Sequence, residues 1–189
     1  MRTRAGRFGI SLLGACAIIL MASFFLPAQD SGHGKLKLNV RPNTAGVFVD
    51  GTYVGPAHDL GWPLWYALTP GEHEVSLRDP RFPDFSTKVT IEAGESTTLK
   101  HTMQGEIPVQ PPYGVLRVQG GSSKYCGVFL NGKFMGHVDE FNSSSQGLKI
   151  SPGQYALKVV SALGAKTEHE EKITIEADQT THVRVGAAG

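Results

Sequence analysis

One ten-residue pattern occurs twice in this chain. The string Gly46-Val-Phe-Val-Asp-Gly-Thr-Tyr-Val-Gly55 returns as Gly127-Val-Phe-Leu-Asn-Gly-Lys-Phe-Met-Gly136. Asp-Gly or Asn-Gly between apolar and aromatic residues is a strong signal for a β-hairpin, because both central positions of a type I′ turn require positive φ. The change from Asp50 to Asn131 keeps this tolerance of the left-handed region. The repeat therefore predicts two hairpins and two copies of one small β-domain.

The two-residue loops also predict the register of each hairpin. One face of each hairpin should be aliphatic, and the other should carry an aromatic cross-strand pair that contributes roughly 0.2–1 kcal/mol. The expected partners are Phe48 with Tyr53, Val47 with Val54 and Gly46 with Gly55 in the first copy, and Phe129 with Phe134 and Val128 with Met135 in the second.

The two copies remain similar beyond the hairpins. The string Leu68-Thr-Pro-Gly71 matches Ile150-Ser-Pro-Gly153, and Lys88-Val-Thr-Ile-Glu-Ala93 matches Lys172-Ile-Thr-Ile-Glu-Ala177. Short alternating runs between glycine and proline turns predict six or seven strands in roughly 70 residues. We therefore predict an all-β chain of two small tandem β-sandwich domains, residues 35–103 and 114–186, joined by a Pro-rich linker over 104–113. Cores of this size are marginal alone, so we expect the copies to pack partly against each other.

Residues 1–28 have the pattern of a targeting segment. Arg2, Arg4 and Arg7 precede an uncharged run over residues 8–26, and Pro27 and Ala28 follow it. Basic residues ahead of an apolar run that a small residue closes are typical of a secretory signal peptide. The run is also long enough to span a bilayer, which takes roughly 20 residues, so an uncleaved signal anchor is an alternative.

A third interpretation of the leader is lipidation at Cys16. The string Leu13-Gly14-Ala15-Cys16 resembles a bacterial lipoprotein processing box, although an apolar stretch follows the cysteine. All three interpretations place the rest of the chain outside the cytoplasm, in the periplasm or at the cell surface. Cys126 is then the one cysteine of the body, so we expect no disulfide within it.

The charge balance excludes nucleic acid as a partner. Three of the 18 basic residues lie in the leader, whereas all 17 acidic residues follow it. The body is therefore slightly acidic and lacks the basic footprint that binding to phosphate backbones requires.

The sequence also lacks the motifs of common enzymes. It contains no G-x-S-x-G, H-E-x-x-H, Walker or G-x-G-x-x-G pattern. The pairs His58-Asp59 and His137-x-Asp139 follow the two hairpins, but their spacing differs and a third metal ligand is not evident, so we interpret both as solvated loops. We predict no catalytic residues, no metal site, no cofactor and no enzymatic activity. A metal-dependent enzyme remains the third-ranked alternative.

The segment 62–66 is the main difference between the copies. Tyr66 aligns with Leu148 and should face the core, which places Trp65 on the opposite face, where the second copy has Gly147. An outward tryptophan is a candidate contact for a sugar, an envelope polymer or another protein. The preferred alternative is that Trp62 and Trp65 cover the edge of their own sandwich or the joint with the second copy.

The hairpin aromatics are a second candidate binding surface. Phe48 with Tyr53, and Phe129 with Phe134, are repeated docking candidates, although we prefer hairpin stabilisation as their role. His73 shares parity with Val75 and so points inward, and its counterpart Tyr155 indicates that this position needs an amphipathic ring.

The order of these features resembles the PEGA domain family, twice in tandem. The first copy carries Val47-Phe-Val-Asp-Gly51 and Leu68-Thr-Pro-Gly-Glu-His-Glu-Val75, and the second carries Val128-Phe-Leu-Asn-Gly132 and Ile150-Ser-Pro-Gly-Gln-Tyr155. The family's Pro-Glu-Gly-Ala signature stands here as Pro42-Asn43-Thr44-Ala45, and the degenerate second copy lacks its proline. The resemblance implies a non-catalytic, extracytoplasmic β-module of prokaryotic envelope and surface proteins, with no catalytic residues to carry over.

These expectations combine into one functional prediction. The chain is expected to be a non-enzymatic, exported module that binds or supports other components of the cell envelope. Its expected partner is an envelope protein or a cell-wall or surface polymer, with membrane contact only through residues 8–26 if they are retained. The alternative is a soluble periplasmic binder of a glycan or peptide that uses segment 62–66.

Overall fold

The computed structural model describes residues 32–61, 64–122, 124–142, 147–163 and 166–186. These residues belong to one compact unit. The regular structure is nearly all β, as predicted. The predicted leader, residues 1–28, and Trp62 lie outside the described residues.

The first half forms two small sheets from the strands described within residues 32–106. The strands are β1 (Gly34–Arg41), β2 (Gly46–Val49), β3 (Thr52–Pro56), β4 (Tyr66–Leu68), β5 (Gly71–Arg78), β6 (Phe85–Ile91) and β7 (Ser96–Thr102). The three-stranded sheet has the order β4-β1-β7, in which β1 pairs antiparallel with β4 and parallel with β7. The four-stranded sheet has the order β3-β2-β5-β6 and is antiparallel throughout.

The second half repeats this topology strand for strand. Its strands are β8 (Gly114–Gly120), β9 (Gly127–Leu130), β10 (Lys133–His137), β11 (Leu148–Ile150), β12 (Gly153–Val160), β13 (Thr167–Ile175) and β14 (Thr180–Val185). They form a three-stranded sheet of order β11-β8-β14, in which β8 and β14 are parallel, and a four-stranded sheet of order β10-β9-β12-β13.

Each half encloses its own hydrophobic core, because the period-two alternation of its strands turns one face inward. In β1, for example, Leu36, Leu38 and Val40 are buried between more exposed neighbours. The two cores are built from equivalent positions: Leu38, Val40, Val47, Val75, Leu77 and Ile91 in the first, and Leu116, Val118, Val128, Leu157, Val159 and Ile175 in the second. The division into independent domains at 35–103 and 114–186 stays a prediction, since the described residues form one compact unit.

Both predicted hairpin tips are confirmed. Asp50 and Gly51 have φ of 49° and 77°, and Asn131 and Gly132 have φ of 48° and 79°. Positive φ at both central positions is what a type I′ turn requires. Next to the turns the predicted partners also hold, since Phe48 faces Tyr53 and Phe129 faces Phe134.

Farther from the tips the predicted register is wrong. Val47 faces Gly55 instead of Val54, and Val128 faces Gly136 instead of Met135. Each second strand contains one extra residue, a β-bulge, which increases the local twist. A two-residue loop sets the register only until such a bulge interrupts the pairing. The same bulge in both halves further supports their common design.

The segments after the hairpins are helical, where the sequence suggested irregular loops. Residues Ala57–Leu60 form a 3₁₀-helix, and Val138–Asn142 form a short α-helix, α1. Each has two buried apolar residues, Ala57 and Leu60 in the first and Val138 and Phe141 in the second. These side chains belong to the two cores, so both segments pack against the fold, while the side chains of His58 and Asp59 stay partly exposed.

Candidate functional site

The hairpin aromatics of the two halves meet in a third hydrophobic cluster. Phe48, Tyr53 and Phe134 are each 3% exposed or less, and Phe129 and Ala162 pack against them. We call this cluster, together with His137, the seam. The prediction that the two copies pack partly against each other is therefore confirmed.

The rings of the seam are arranged as in a protein interior. Phe48 meets Phe134 edge-on at 5.7 Å between centroids, and Tyr53 meets Phe129 edge-on at 6.1 Å. Each edge-on aromatic pair stabilises the fold by roughly 0.5–1.5 kcal/mol beyond the effect of the area that it buries. The guanidinium carbon of Arg78 lies 4.2 Å from the centroid of the Phe48 ring, so this side chain covers one face of the ring. Both residues belong to the first half.

Two glycines let the hairpins approach closely, and they do so reciprocally. A Cβ atom at Gly46 would lie 2.5 Å from ring atoms of Phe134. A Cβ atom at Gly127 would lie 3.0 Å from a ring atom of Tyr53. Phe134, on the second strand of its hairpin, therefore lies over Gly46, which begins the first strand of the other hairpin. Tyr53 lies over Gly127 in the equivalent way. This exchange of equivalent contacts gives the seam approximate two-fold symmetry, as in an isologous interface.

Polar contacts break this symmetry. The Tyr53 hydroxyl lies 2.6 Å from Nδ1 of His137 and 2.8 Å from the Tyr125 carbonyl oxygen. Nε2 of His137 lies 2.7 Å from the Thr44 carbonyl oxygen. Because a carbonyl only accepts, Nε2 carries the hydrogen of a neutral ring. The Tyr53 hydroxyl has one hydrogen, which it donates either to Nδ1 or to the Tyr125 carbonyl. A histidine of the second half is thus held by two groups of the first.

Burial dominates the electrostatics of this region. It lowers the pKa of His137 below its ordinary value and raises the pKa of Tyr53 well above its own. Both effects favour the neutral forms, because a charge loses its hydration when it is buried. Burial also raises the pKa of Glu140, whose carboxylate accepts a hydrogen bond of 2.9 Å from the backbone N–H of His137.

The predicted site residues divide into two groups. Phe48, Tyr53, Phe129 and Phe134 come together in the seam, where the two halves contact each other and where three of the four rings are closed to solvent. Trp65 lies elsewhere and is 49% exposed, on the outward side as expected, while Tyr66 packs partly buried against the first core. Trp62 lies outside the described residues.

Trp65 lines a groove of about 660 Å³ to which both halves contribute. Leu64 and Leu163, 51% and 66% exposed, add apolar surface to this groove. Asp59, Ser122 and Ser161 add polar groups. The ammonium group of Lys35 lies 4.8 Å from the centroid of the Trp65 ring, a cation–π contact that covers one face of the indole. An apolar groove with a few polar groups is a usual setting for ligand contacts.

The two His/Asp pairs do not occupy equivalent solvated loops. His58 is partly exposed, contacts Tyr125 edge-on and lies 3.4 Å from Asp59, whereas His137 is buried in the seam. Among the described residues, no three histidine, cysteine, aspartate or glutamate side chains are grouped to hold a metal ion.

Sequence reasoning missed His137 as a residue of the joint. A signal was present in the differences between the copies. The position of Tyr53 is Phe134 in the second copy, and the position of His137 is Pro56 in the first. The hydroxyl and the imidazole thus each occur in one copy only, as expected of two groups that pair across a joint.

In the ranges that the structure describes, no helix is long and apolar enough to cross a membrane. The predicted anchor, residues 8–26, lies outside those ranges.

Comparison with known proteins gives a partial match. Among curated proteins, none matches this chain. One solved structure, titled "The Bacillus anthracis TIE protein", is 13% identical, with a TM-score of 0.30; the match covers 83% of this chain and 33% of that one, so this chain spans about a third of its length. The model of the PEGA domain family matches residues 33–106, a range that contains β1 to β7 and ends before β8. The first half of this chain is therefore similar to a PEGA domain.

Proposed function

We propose that the chain is a non-enzymatic, exported module of the cell envelope, built from two PEGA-like domains in tandem. The observation that carries this proposal is the seam, which joins two halves of the same topology into one compact unit around buried aromatic rings. A rigid unit of this kind suits a protein that holds surfaces and loops against a partner. The match of the PEGA family to residues 33–106 supports a module rather than a catalyst.

The second half belongs to this proposal as a degenerate copy of the first. Its strand order, its core positions, its turn at Asn131 and its bulge at Met135 all correspond to features of the first half. The departures from the family pattern lie in the segment before β9 and in the step after β10, where His137 takes part in the seam.

The expected partner is an envelope protein or a cell-wall or surface polymer. Co-sedimentation of the purified chain with isolated cell walls, and separately with membrane vesicles from the same cells, tests this expectation. We expect saturable binding to one fraction and none to the other. Absence of binding to both would contradict the proposal. N-terminal sequencing and intact mass of the exported protein would decide between a cleaved signal, a retained anchor and lipidation at Cys16.

The second candidate function is a soluble periplasmic binder of a glycan or peptide. The half-exposed ring of Trp65 in the groove between the halves favours it. The chain has two tryptophans, so Trp62→Phe leaves Trp65 as the one tryptophan whose fluorescence reports binding. A binder predicts saturable quenching of this variant by cell-wall oligosaccharides or peptides, whereas a scaffold that does not use this groove predicts none.

The variant Trp65→Ala separates a binding role from a structural one. Because about half of the Trp65 side chain is exposed, we expect its removal to abolish binding to the envelope fraction or oligosaccharide while the melting temperature changes little. Tyr66→Ala is the matched control, since Tyr66 packs against the first core and its loss should lower the melting temperature instead. A large fall in melting temperature for Trp65→Ala would assign this ring to the fold.

A further inference from the structure

The imidazole of His137 links the two halves directly. The residue is 1% exposed, and its ring lies 6.0 Å from the Tyr53 ring and 5.3 Å from the Phe134 ring, centroid to centroid. Both polar partners of the ring, the Tyr53 hydroxyl and the Thr44 carbonyl, belong to the first half. Separating the halves would therefore return this ring to water, and closing the seam removes it from water.

A second proton on the ring would break no hydrogen bond. Nδ1–H would donate to the Tyr53 hydroxyl oxygen, and the hydroxyl hydrogen would turn to the Tyr125 carbonyl, which lies 2.8 Å away. The cost of protonation is therefore the burial of a charge without its water, which is unfavourable unless a counter-charge is in contact.

Charged groups surround the ring but do not neutralise it directly. In the part of the chain that the structure describes, the Glu140 carboxylate binds the backbone N–H of His137, and no carboxylate accepts a hydrogen bond from its ring. Asp139 and Asp59 favour a charged ring and His58 opposes it. The titratable and charged groups on the surrounding elements are Tyr53 on β3, His58 and Asp59 on the 3₁₀-helix, Lys124, Tyr125 and Cys126 before β9, Asp139 and Glu140 on α1, and Asp79 and Arg81 after β5.

We propose that His137 makes the seam acid-labile: the seam closes around the neutral imidazole and opens when the ring takes up a proton. The two hydrophobic cores do not contain this ring and stay intact when the seam opens. Opening would expose Phe48, Tyr53 and Phe134, an apolar face that the closed protein hides.

The direction follows from proton linkage. Burial lowers the pKa of His137 from its ordinary 6.5, so the closed state binds fewer protons than the open state. As the pH falls below about 6.5, the open state gains by up to about tenfold per pH unit until the pH passes the lowered pKa of the closed state. Proton uptake by Glu140 has the opposite effect on the equilibrium between the open and closed states. Because burial raises the pKa of this carboxyl, its protonation favours the closed state.

Nuclear magnetic resonance on the full chain tests this directly. The Phe48 and Phe134 rings are 5.7 Å apart across the seam and should show mutual Overhauser contacts at about pH 7.5. We expect these contacts to weaken progressively as the pH falls towards about 5. The cross-strand neighbours Val49 and Val75, which lie within the first half, are the internal control and should keep theirs at both values.

Three variants identify the group responsible. His137→Gln keeps a donor and an acceptor without a titratable ring, and its seam should stay closed at about pH 5. His58→Gln and Glu140→Gln, which remove a neighbouring histidine and the carboxylate bound to the backbone N–H of His137, should still open on acidification. The proposal is overturned if the wild-type contacts keep their full strength down to about pH 5, or if His137→Gln opens over the same pH range as the wild type.

The wild-type protein decides the question even if His137→Gln does not fold. The ring C–H signals of His137 report its protonation during the same titration. We expect protonation of this ring and loss of the Phe48–Phe134 contacts to follow one curve. A ring that takes up its proton while those contacts remain would overturn the proposal.

Discussion

At the residue scale, Gly46 and Gly127 are the positions where one added methyl group would disturb the joint between the halves. The Cβ of an alanine at Gly46 would lie 2.5 Å from two ring atoms of Phe134, and Cβ atoms essentially never approach so closely. The ring is itself 2% exposed and enclosed by Phe48, Tyr53 and Phe129, so it has little room to move away.

We predict that Gly46→Ala lowers the free energy of unfolding by about 1–3 kcal/mol, the usual range for overpacking. Gly127→Ala should cost less, because its Cβ would lie 3.0 Å from Tyr53. Gly32→Ala is the matched control, since nothing lies within 4 Å of its added atom. Chemical denaturation of the three variants checks the order. Equal stability of the Gly46 and Gly32 variants would mean that the seam is looser than described.

His73 and Asp50 form a charged contact, and the second half has the neutral residues Tyr155 and Asn131 at the equivalent positions. His73 lies 2.7 Å from the Asp50 carboxylate and 2.9 Å from the Thr69 carbonyl oxygen, so both ring nitrogens face acceptors. In the second half, the hydroxyl group of Tyr155 donates to the Ser151 carbonyl oxygen at 2.8 Å. Each ring binds the carbonyl oxygen four residues before it, and His73 also contacts the Asp50 carboxylate. That this position needs an amphipathic ring stays a prediction.

This contact predicts a pH dependence with a definite sign. The Asp50 carboxylate raises the pKa of His73, and His73 lowers the pKa of Asp50. The contribution of His73 is complete below pH 6.5 and is lost as the pH rises through its raised pKa; that of Asp50 is present above pH 3.8 and is lost as the pH falls through its lowered pKa. The pair therefore stabilises most between these limits.

The double variant Asp50→Asn, His73→Tyr gives the first half the second half's neutral pair. Between mildly acidic and mildly alkaline pH, we predict that the free energy of unfolding of the wild type falls by about 0.5 kcal/mol relative to that of this variant. The effect is small because partly exposed ion pairs contribute little to stability. Unfolding free energies at the two pH values measure the difference. A difference that does not change with pH would show that His73 is not charged in the folded state.

At the scale of the element, each hairpin depends on the side chain at the first turn position as well as on its backbone. Asn131 adopts φ 48°, and its side-chain oxygen accepts a hydrogen bond of 2.8 Å from the backbone N–H of Ala156 on β12. Asp50 adopts φ 49°, and its side-chain oxygen accepts a hydrogen bond of 3.0 Å from the backbone N–H of Glu74 on β5. The turn is thus tied to the neighbouring strand in both halves.

We predict that Asn131→Ala costs about 1–2 kcal/mol, because alanine loses the hydrogen bond and disfavours positive φ. Asn131→Asp should be nearly neutral, because the first half uses aspartate at this position with the same geometry. Thermal and chemical unfolding of both variants checks this pair. Equal losses would mean that neither the φ nor the acceptor matters at this turn.

At the scale of the whole molecule, the seam makes each half depend on the other. Cutting the chain between the halves and separating them would expose Phe48, Tyr53 and Phe134 and leave the partners of His137 unpaired. The loss of this burial lowers the stability of each half, which keeps only its own core.

We predict that the separated halves, residues 31–106 and 107–189, each melt at a lower temperature than the intact chain. A chain cleaved within the linker but left unseparated is the control, and it should keep most of the intact chain's stability because the seam remains closed. Differential scanning calorimetry of the three samples checks this. Equal melting temperatures for the halves and the whole would contradict a stabilising seam.

The sequence alone determined the features that depend on local chemistry. Asp50-Gly51 and Asn131-Gly132 placed both hairpin tips, because positive φ at two successive positions admits few residue types. Period-two alternation in β1, β5, β8 and β12 placed the core faces, and repetition of the pattern showed that the chain contains one fold twice.

Only the tertiary structure decided what depends on contacts between distant residues. The bulges at Val54 and Met135, the parallel pairing of β1 with β7 and of β8 with β14, and the meeting of the aromatic faces follow from how whole sheets pack. His137 seemed to lie in a solvated loop, because its partners Tyr53 and Thr44 are 84 and 93 residues away. A local sequence pattern specifies which face of a strand is apolar. Which surface covers that face depends on how the folded halves fit together, and that fit exists only when both halves have folded.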